Sequence, residues 1–137
     1  MELQNWLEKT DYISEFKRNH VSFRKYPDKG LLIVKRTYGS PYSEDTFWLN
    51  YCRGLVIDTN TNQVIMIPPI KAKEVQKEEE LPVSSNNLVD GTMINVFFYK
   101  NEWLISSRSN IGCNNKWSSE LTFMDMFREC SKNLDLN

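Results

Sequence analysis

Histidine, cysteine and long apolar runs are all scarce in this chain of 137 residues. His20 is the only histidine, so Ser-His or Cys-His nucleophilic catalysis has a single candidate, of a kind that is ordinarily a plain surface residue. Cys52, Cys113 and Cys130 are odd in number, widely spaced and unaccompanied by a histidine cluster. They argue against a disulfide framework and against a zinc site, and they fit a reducing compartment. No apolar run approaches the roughly 18 residues of a membrane span, and no secretory leader pattern is present. A cytoplasmic location is therefore expected, the host cytoplasm if the source is viral. Neither sign of charge dominates: 17 Lys and Arg face 18 Asp and Glu, for a net charge of −1. There is no global basic field, so any nucleic-acid contact has to come from a local patch. Neither a G-x-G-x-x-G turn nor a Walker phosphate loop occurs.

What the chain does have is aromatic core material: 4 Trp, 7 Phe and 6 Tyr. At this length one domain is expected, burying about two-thirds of its unfolded surface. Residues 3–18 read as helical, with Asp11 able to cap the part from Tyr12 to Arg18 and with Ile13, Phe16 and Trp6 on one face. Pro27-Asp28-Lys29-Gly30 is a turn. It launches a buried strand over 31–38, broken at Gly39-Ser40-Pro41. Arg53-Gly54-Leu55-Val56-Ile57-Asp58, the turn Thr59-Asn60-Thr61-Asn62 and a return over 63–67 form a β-hairpin, which Pro68-Pro69 ends for want of a ladder donor. Residues 71–80 are charge-rich, a solvated loop or a short helix. Residues 92–99 alternate, with Met93, Asn95, Phe97 and Tyr99 on one side and Ile94, Val96 and Phe98 on the other. Lys100-Asn101 turns the chain back into 103–107. Thr122-Phe123-Met124-Asp125 has the form of a capping box, and Phe123, Met126, Phe127 and Cys130 follow at amphipathic-helix spacing. The expected class is α+β: two hairpins, an isolated strand and terminal helices.

Three short segments can carry chemistry. Arg53-Gly54 enters a strand where an arginine fork can meet a phosphate and glycine permits close backbone approach; a solvated edge arginine is the plain alternative. Pro68-Pro69-Ile70-Lys71-Ala72-Lys73 is a stiff loop that could aim a lysine, a point charge for polyphosphate, into a cleft; a surface basic pair is the alternative. Asp90-Gly91-Thr92 opens one hairpin strand, and Arg108 closes the next. An Asp-Gly turn with a salt-bridged arginine would account for these residues equally well.

In this order and spacing, the run Lys35-Arg36-Thr37-Tyr38-Gly39-Ser40-Pro41-Tyr42-Ser43, then Tyr51-Cys52-Arg53-Gly54-Leu55-Val56-Ile57-Asp58, Pro68-Pro69-Ile70-Lys71, Val89-Asp90-Gly91-Thr92 and Ile105-Ser106-Ser107-Arg108-Ser109 resembles the N-terminal adenylation domain of the RNA ligase 1 family of T-even bacteriophage. Asp90-Gly91-Thr92-Met93-Ile94-Asn95 and Ser107-Arg108-Ser109-Asn110-Ile111-Gly112 are closer still to ligase-like proteins of large DNA viruses. The likeness spans about residues 35–132. It implies a partial nucleotidyltransferase domain over residues 1–137, of the ATP-grasp-like ligase type, with an antiparallel sheet and flanking helices. It also implies ATP and Mg2+ as cofactors and RNA 5′-phosphate and 3′-hydroxyl ends as partners, as in RNA repair. By motif position, Arg53 and Lys71 would contact the phosphates, Asp90 and Gly91 match the Asp-Gly of the nucleophile motif K-x-D-G, and Arg108 supplies a further cation.

Two departures qualify that expectation. Leu88 stands where the family's nucleophilic lysine would be, and leucine cannot form a phosphoramidate. The family's later motifs, an acidic metal-holding strand and a terminal pair of lysines, do not follow before Asn137. The expected activity is therefore ligase-like nucleotide and strand-end binding without independent catalysis, with Lys71 as the conceivable substitute nucleophile. A catalytically silent module for nucleotide, RNA or protein is the alternative, and a structural α+β domain whose Asp90-Gly91 is only a turn is the third reading.

Overall fold

The computed structural model describes residues 2–37, 44–70 and 90–132. The helical segment expected over residues 3–18 is two helices, α1 (Glu2–Lys9) and α2 (Tyr12–Arg18), the second starting after the expected cap Asp11. The break falls at Thr10-Asp11 because Asp11 turns its carboxylate onto the next turn, accepting from the Ser14 N–H at 3.2 Å and the Ser14 hydroxyl at 2.6 Å. A capping carboxylate starts a helix and cannot also continue one. Leu3, Leu7, Tyr12 and Phe16 are buried, and Trp6 stacks on Trp48 at 4.7 Å between centroids.

Strand β1 (Val21–Tyr26), which is not among the expected elements, pairs antiparallel with β2 (Leu31–Arg36) around the Pro27–Gly30 turn. Gly30 there takes φ +68°. The expected isolated strand is thus an inner strand, paired on its other edge with β3 (Arg53–Asp58). Its second half is shorter than expected, ending at Arg36, and Tyr38 lies outside the described residues. A kinked 3₁₀ segment, Glu44–Tyr51, precedes β3. Strand β4 (Val64–Met66) completes the second hairpin and the sheet order β1-β2-β3-β4. Asp58 shapes that turn by accepting from the N–H groups of Asn60 at 2.7 Å and Thr61 at 3.2 Å.

Strands β5 (Asn95–Tyr99) and β6 (Glu102–Ser106) form a separate two-stranded ribbon. Lys100 and Asn101 both have positive φ, 45° and 63°, as a two-residue turn matched to strand twist requires. Helix α3 (Phe123–Ser131) carries the expected capping box: the Thr122 hydroxyl accepts from the Asp125 N–H at 3.1 Å, and the Asp125 carboxylate accepts from the Thr122 N–H at 2.9 Å.

The chain is a mixed α+β fold with antiparallel sheets and flanking helices. The four-stranded sheet is covered on both faces. Leu32, Val34, Leu55 and Ile57 meet α1, α2 and Trp48 on one side. Leu31, Ile33 and Val56 meet Phe97, Tyr99 and Leu104 of the ribbon, and Ile111 beyond it, on the other. A strand buried on both faces has no polar alternation, which explains the unbroken Leu31-Leu32-Ile33-Val34 run. The Tyr99 hydroxyl crosses between the layers to donate to Asp58 at 2.7 Å. Among the described residues, no helix is long and apolar enough to cross a membrane.

Candidate functional site

Sheet and ribbon part at the end where β2 finishes, β3 begins and β6 runs out. A cavity of about 540 Å³ opens there. Two of its cations reach it by different local devices. Along β2, Leu31 and Ile33 face the ribbon, so strict alternation brings Lys35 to the same side. Along β3, the same alternation would turn Arg53 towards the helical core with Leu55 and Ile57. The register shows what prevents it: Val34 pairs with Leu55 but Lys35 pairs with Arg53, so Gly54 is an extra residue, a β-bulge. The bulge flips Arg53 into the cavity.

Gly54 has a second reason to be glycine. Its φ is +117°, and a Cβ there would stand 3.3 Å from the Arg108 Cα and 3.4 Å from the Arg108 carbonyl oxygen. The start of β3 therefore lies directly against the segment that leaves β6. That segment is a tight turn, with the Ser107 N–H donating to the Asn110 carbonyl at 2.9 Å. The Arg108 guanidinium donates to the Arg36 carbonyl at 3.3 Å, which holds it at the end of β2. The remaining wall is the loop before α3, pinned by the Phe123 N–H donating to Asn115 and the Met124 N–H to Cys113, both at 3.0 Å. Lys116 and Trp117 of this loop, and Phe123 at the start of α3, line the cavity.

Lys35, Arg53, Arg108 and Lys116 thus share one cavity, and among the described residues no carboxylate lines it. Lys35 and Arg53 are direct cross-strand neighbours, an arrangement that is unfavourable for two like charges unless an anion lies between them. Among the described residues, only Lys116 of the four has a carboxylate within ion-pair reach, Glu120 at 3.8 Å, whose side chain is wholly exposed. Such a pair is weak and easily exchanged for a ligand.

Of the residues singled out from the sequence, Arg53, Gly91 and Arg108 line this cavity. Asp90 is exposed and is not part of the lining, although its neighbour Gly91 is. Lys71 and Leu88 lie outside the described residues. Lys35, Lys116 and Trp117 are additions. Lys35 was legible from strand alternation once β2 was seen to face the ribbon; nothing in the pattern around 116–117 marked that loop.

Two thiols are poor nucleophiles. Burial pushes Cys52 up to about 12 and Cys113 up to about 11, so both remain protonated near neutrality. Among the described residues, no cluster of His, Cys, Asp and Glu could hold a metal ion. Among the described residues the cavity walls carry cations and offer no carboxylate to a bare Mg2+, so any Mg2+ there would have to come with a ligand's phosphates. No family model, curated protein or solved structure matches the chain.

Proposed function

We propose that this cavity binds the phosphates of a nucleotide or of a polynucleotide end, in a ligase-like nucleotidyltransferase domain that does not itself form a lysine-AMP adduct. The observation that carries the reading is the gathering of Lys35, Arg53, Arg108 and Lys116 on one cavity that no carboxylate lines among the described residues. Arginine forks match phosphate oxygens in pairs, and lysines add point charge. ATP, brought with Mg2+, and RNA 5′-phosphate and 3′-hydroxyl ends are the ligands this reading calls for. Leu88 at the nucleophile position favours the silent form of the reading, because phosphate recognition and nucleophilicity are separate properties.

Titration calorimetry tests it. ATP, inorganic triphosphate or 5′-phosphorylated RNA should bind, and Arg53→Ala or Arg108→Ala should each weaken binding about tenfold or more, the size of one charge-assisted hydrogen bond. No heat from any of the three at millimolar concentration would overturn the proposal. Incubation with labelled ATP and Mg2+ followed by a denaturing gel should leave the protein unlabelled. A covalent label abolished in Lys71→Ala would instead make Lys71 a substitute nucleophile and the domain an active adenylyltransferase.

A further inference from the structure

The four tryptophans are not used alike. Trp6 and Trp48 stack on one another beneath the helices, and Trp103 meets Phe98 edge-on at 5.3 Å between centroids. Trp117 is 80% exposed and, among the described residues, touches no other ring. Yet it lines a cavity, directly after Lys116, with Phe123 and the cations of β2, β3 and the β6 turn lining the same space. Leaving an indole in water forgoes a large burial term, and here the open ring adjoins a cavity where, among the described residues, Lys35, Arg53 and Arg108 have no carboxylate in ion-pair reach and Lys116 has only the exposed Glu120 at 3.8 Å. An aromatic face next to a cationic groove is the arrangement that holds a base together with its phosphate.

Resting on the anion-site reading above, we infer that Trp117 is the base-stacking wall of this cavity. The site then takes phosphates that carry a nucleobase and discriminates against bare polyphosphate. Specificity divides along the cavity: Lys35, Arg53 and Arg108 hold charge, while Trp117 reports whether a flat heterocycle is attached. Stacking is tolerant of base identity, because every base has a π-face. The preference is therefore for the presence of a base and only weakly for its kind. Trp117 is wholly a surface residue, so its replacement leaves both cores intact.

Affinities of the full chain for ATP, CTP, inorganic triphosphate and a 5′-phosphorylated RNA oligonucleotide are compared with those of Trp117→Ala and Trp117→Tyr. In the wild type, ATP and CTP should both bind more tightly than inorganic triphosphate. Trp117→Ala should weaken the two nucleotides roughly ten- to a hundredfold, the span of one base-aromatic stack, and inorganic triphosphate less than about twofold. Trp117→Tyr should restore most of the loss. Fluorescence quenching by ATP in a Trp103→Phe background, where Trp117 is the exposed indole, should vanish in Trp117→Ala. The RNA arm shows whether the base and phosphate come from a free nucleotide or from a strand end. Equal loss for nucleotide and inorganic triphosphate, or no loss for either, would overturn the stacking role while the anion site stands. Failure of every ligand to bind the wild type would overturn both.

Discussion

Asp58 joins the two layers through a single carboxylate. One oxygen accepts from the backbone of Asn60 and Thr61 and so shapes the β3–β4 turn; the other accepts from Tyr99 of the ribbon. Burial alone would raise the pKa of this group. The Tyr99 hydroxyl, the two N–H groups and the nearby Lys100 charge outweigh that cost and hold it below the usual carboxylate range. A carboxyl whose folded pKa is depressed contributes stability that is fully present above its unfolded value of about 3.9 and is lost as pH falls through the folded value. Wild-type resistance to urea should therefore decline below about pH 4, and the decline should be shallower in Asp58→Asn, so that the two midpoints converge in acid. Parallel pH profiles for the two proteins would refute the assignment. Asp11 and Asp125 are also held low, each mainly by hydrogen bonds from its own cap. They titrate alike in both proteins and cancel in the comparison.

At the scale of elements, α3 is the piece most loosely joined. It buries no residue completely, and Phe123, Met126 and Phe127 are only half covered. Its integrity rests on the Thr122–Asp125 box and on the two backbone bonds to Asn115 and Cys113. Thr122→Ala should cost about 1 kcal/mol at the cap. Because little packing couples α3 to the cores, that cost should appear as local fraying: faster amide exchange at Met126 and Phe127 with an almost unchanged global urea midpoint. A midpoint that drops by the full amount would show α3 to be part of the cooperative unit. The same looseness bears on what the sequence can reveal. The α3 box and the Leu31–Val34 run are legible because each is set by its own residues. Strand β1 is only partly so: Val21 and Phe23 alternate inward against Ser22 and Arg24, but the exposed Lys25 breaks the alternation after four residues. The start of α2 is legible in the same way as the α3 box, because Asp11 caps it through its own side chain. In the site, Arg53 and Arg108 are legible by motif spacing. The Gly54 bulge that aims Arg53 depends on β2 lying alongside, and Trp117 belongs to a loop with no periodicity.

For the whole molecule, the cation cluster is a cost carried by the unliganded fold. Lys35 and Arg53 face each other across β2 and β3, with Arg108 and Lys116 on the same cavity. The fold tolerates this repulsion because β2 and β3 are anchored by apolar contact on both faces, from Leu32 and Val34 below to Ile33 and Val56 above. Stability and binding should then trade against each other at one residue. Arg53→Gln removes one member of a like-charge cross-strand pair, which should stabilise the unliganded protein by about 0.2–1 kcal/mol. It should also remove much of the stabilisation that triphosphate confers on the wild type by mass action, about 2.7 kcal/mol at a hundredfold excess over Kd. Urea melts of both proteins with and without inorganic triphosphate measure the two effects at once. A crossing is expected: the variant is the more stable without triphosphate and the less stable with it. Destabilisation of the unliganded variant, with triphosphate protecting both proteins equally, would mean that Arg53 holds the sheet together and that the anion lies elsewhere.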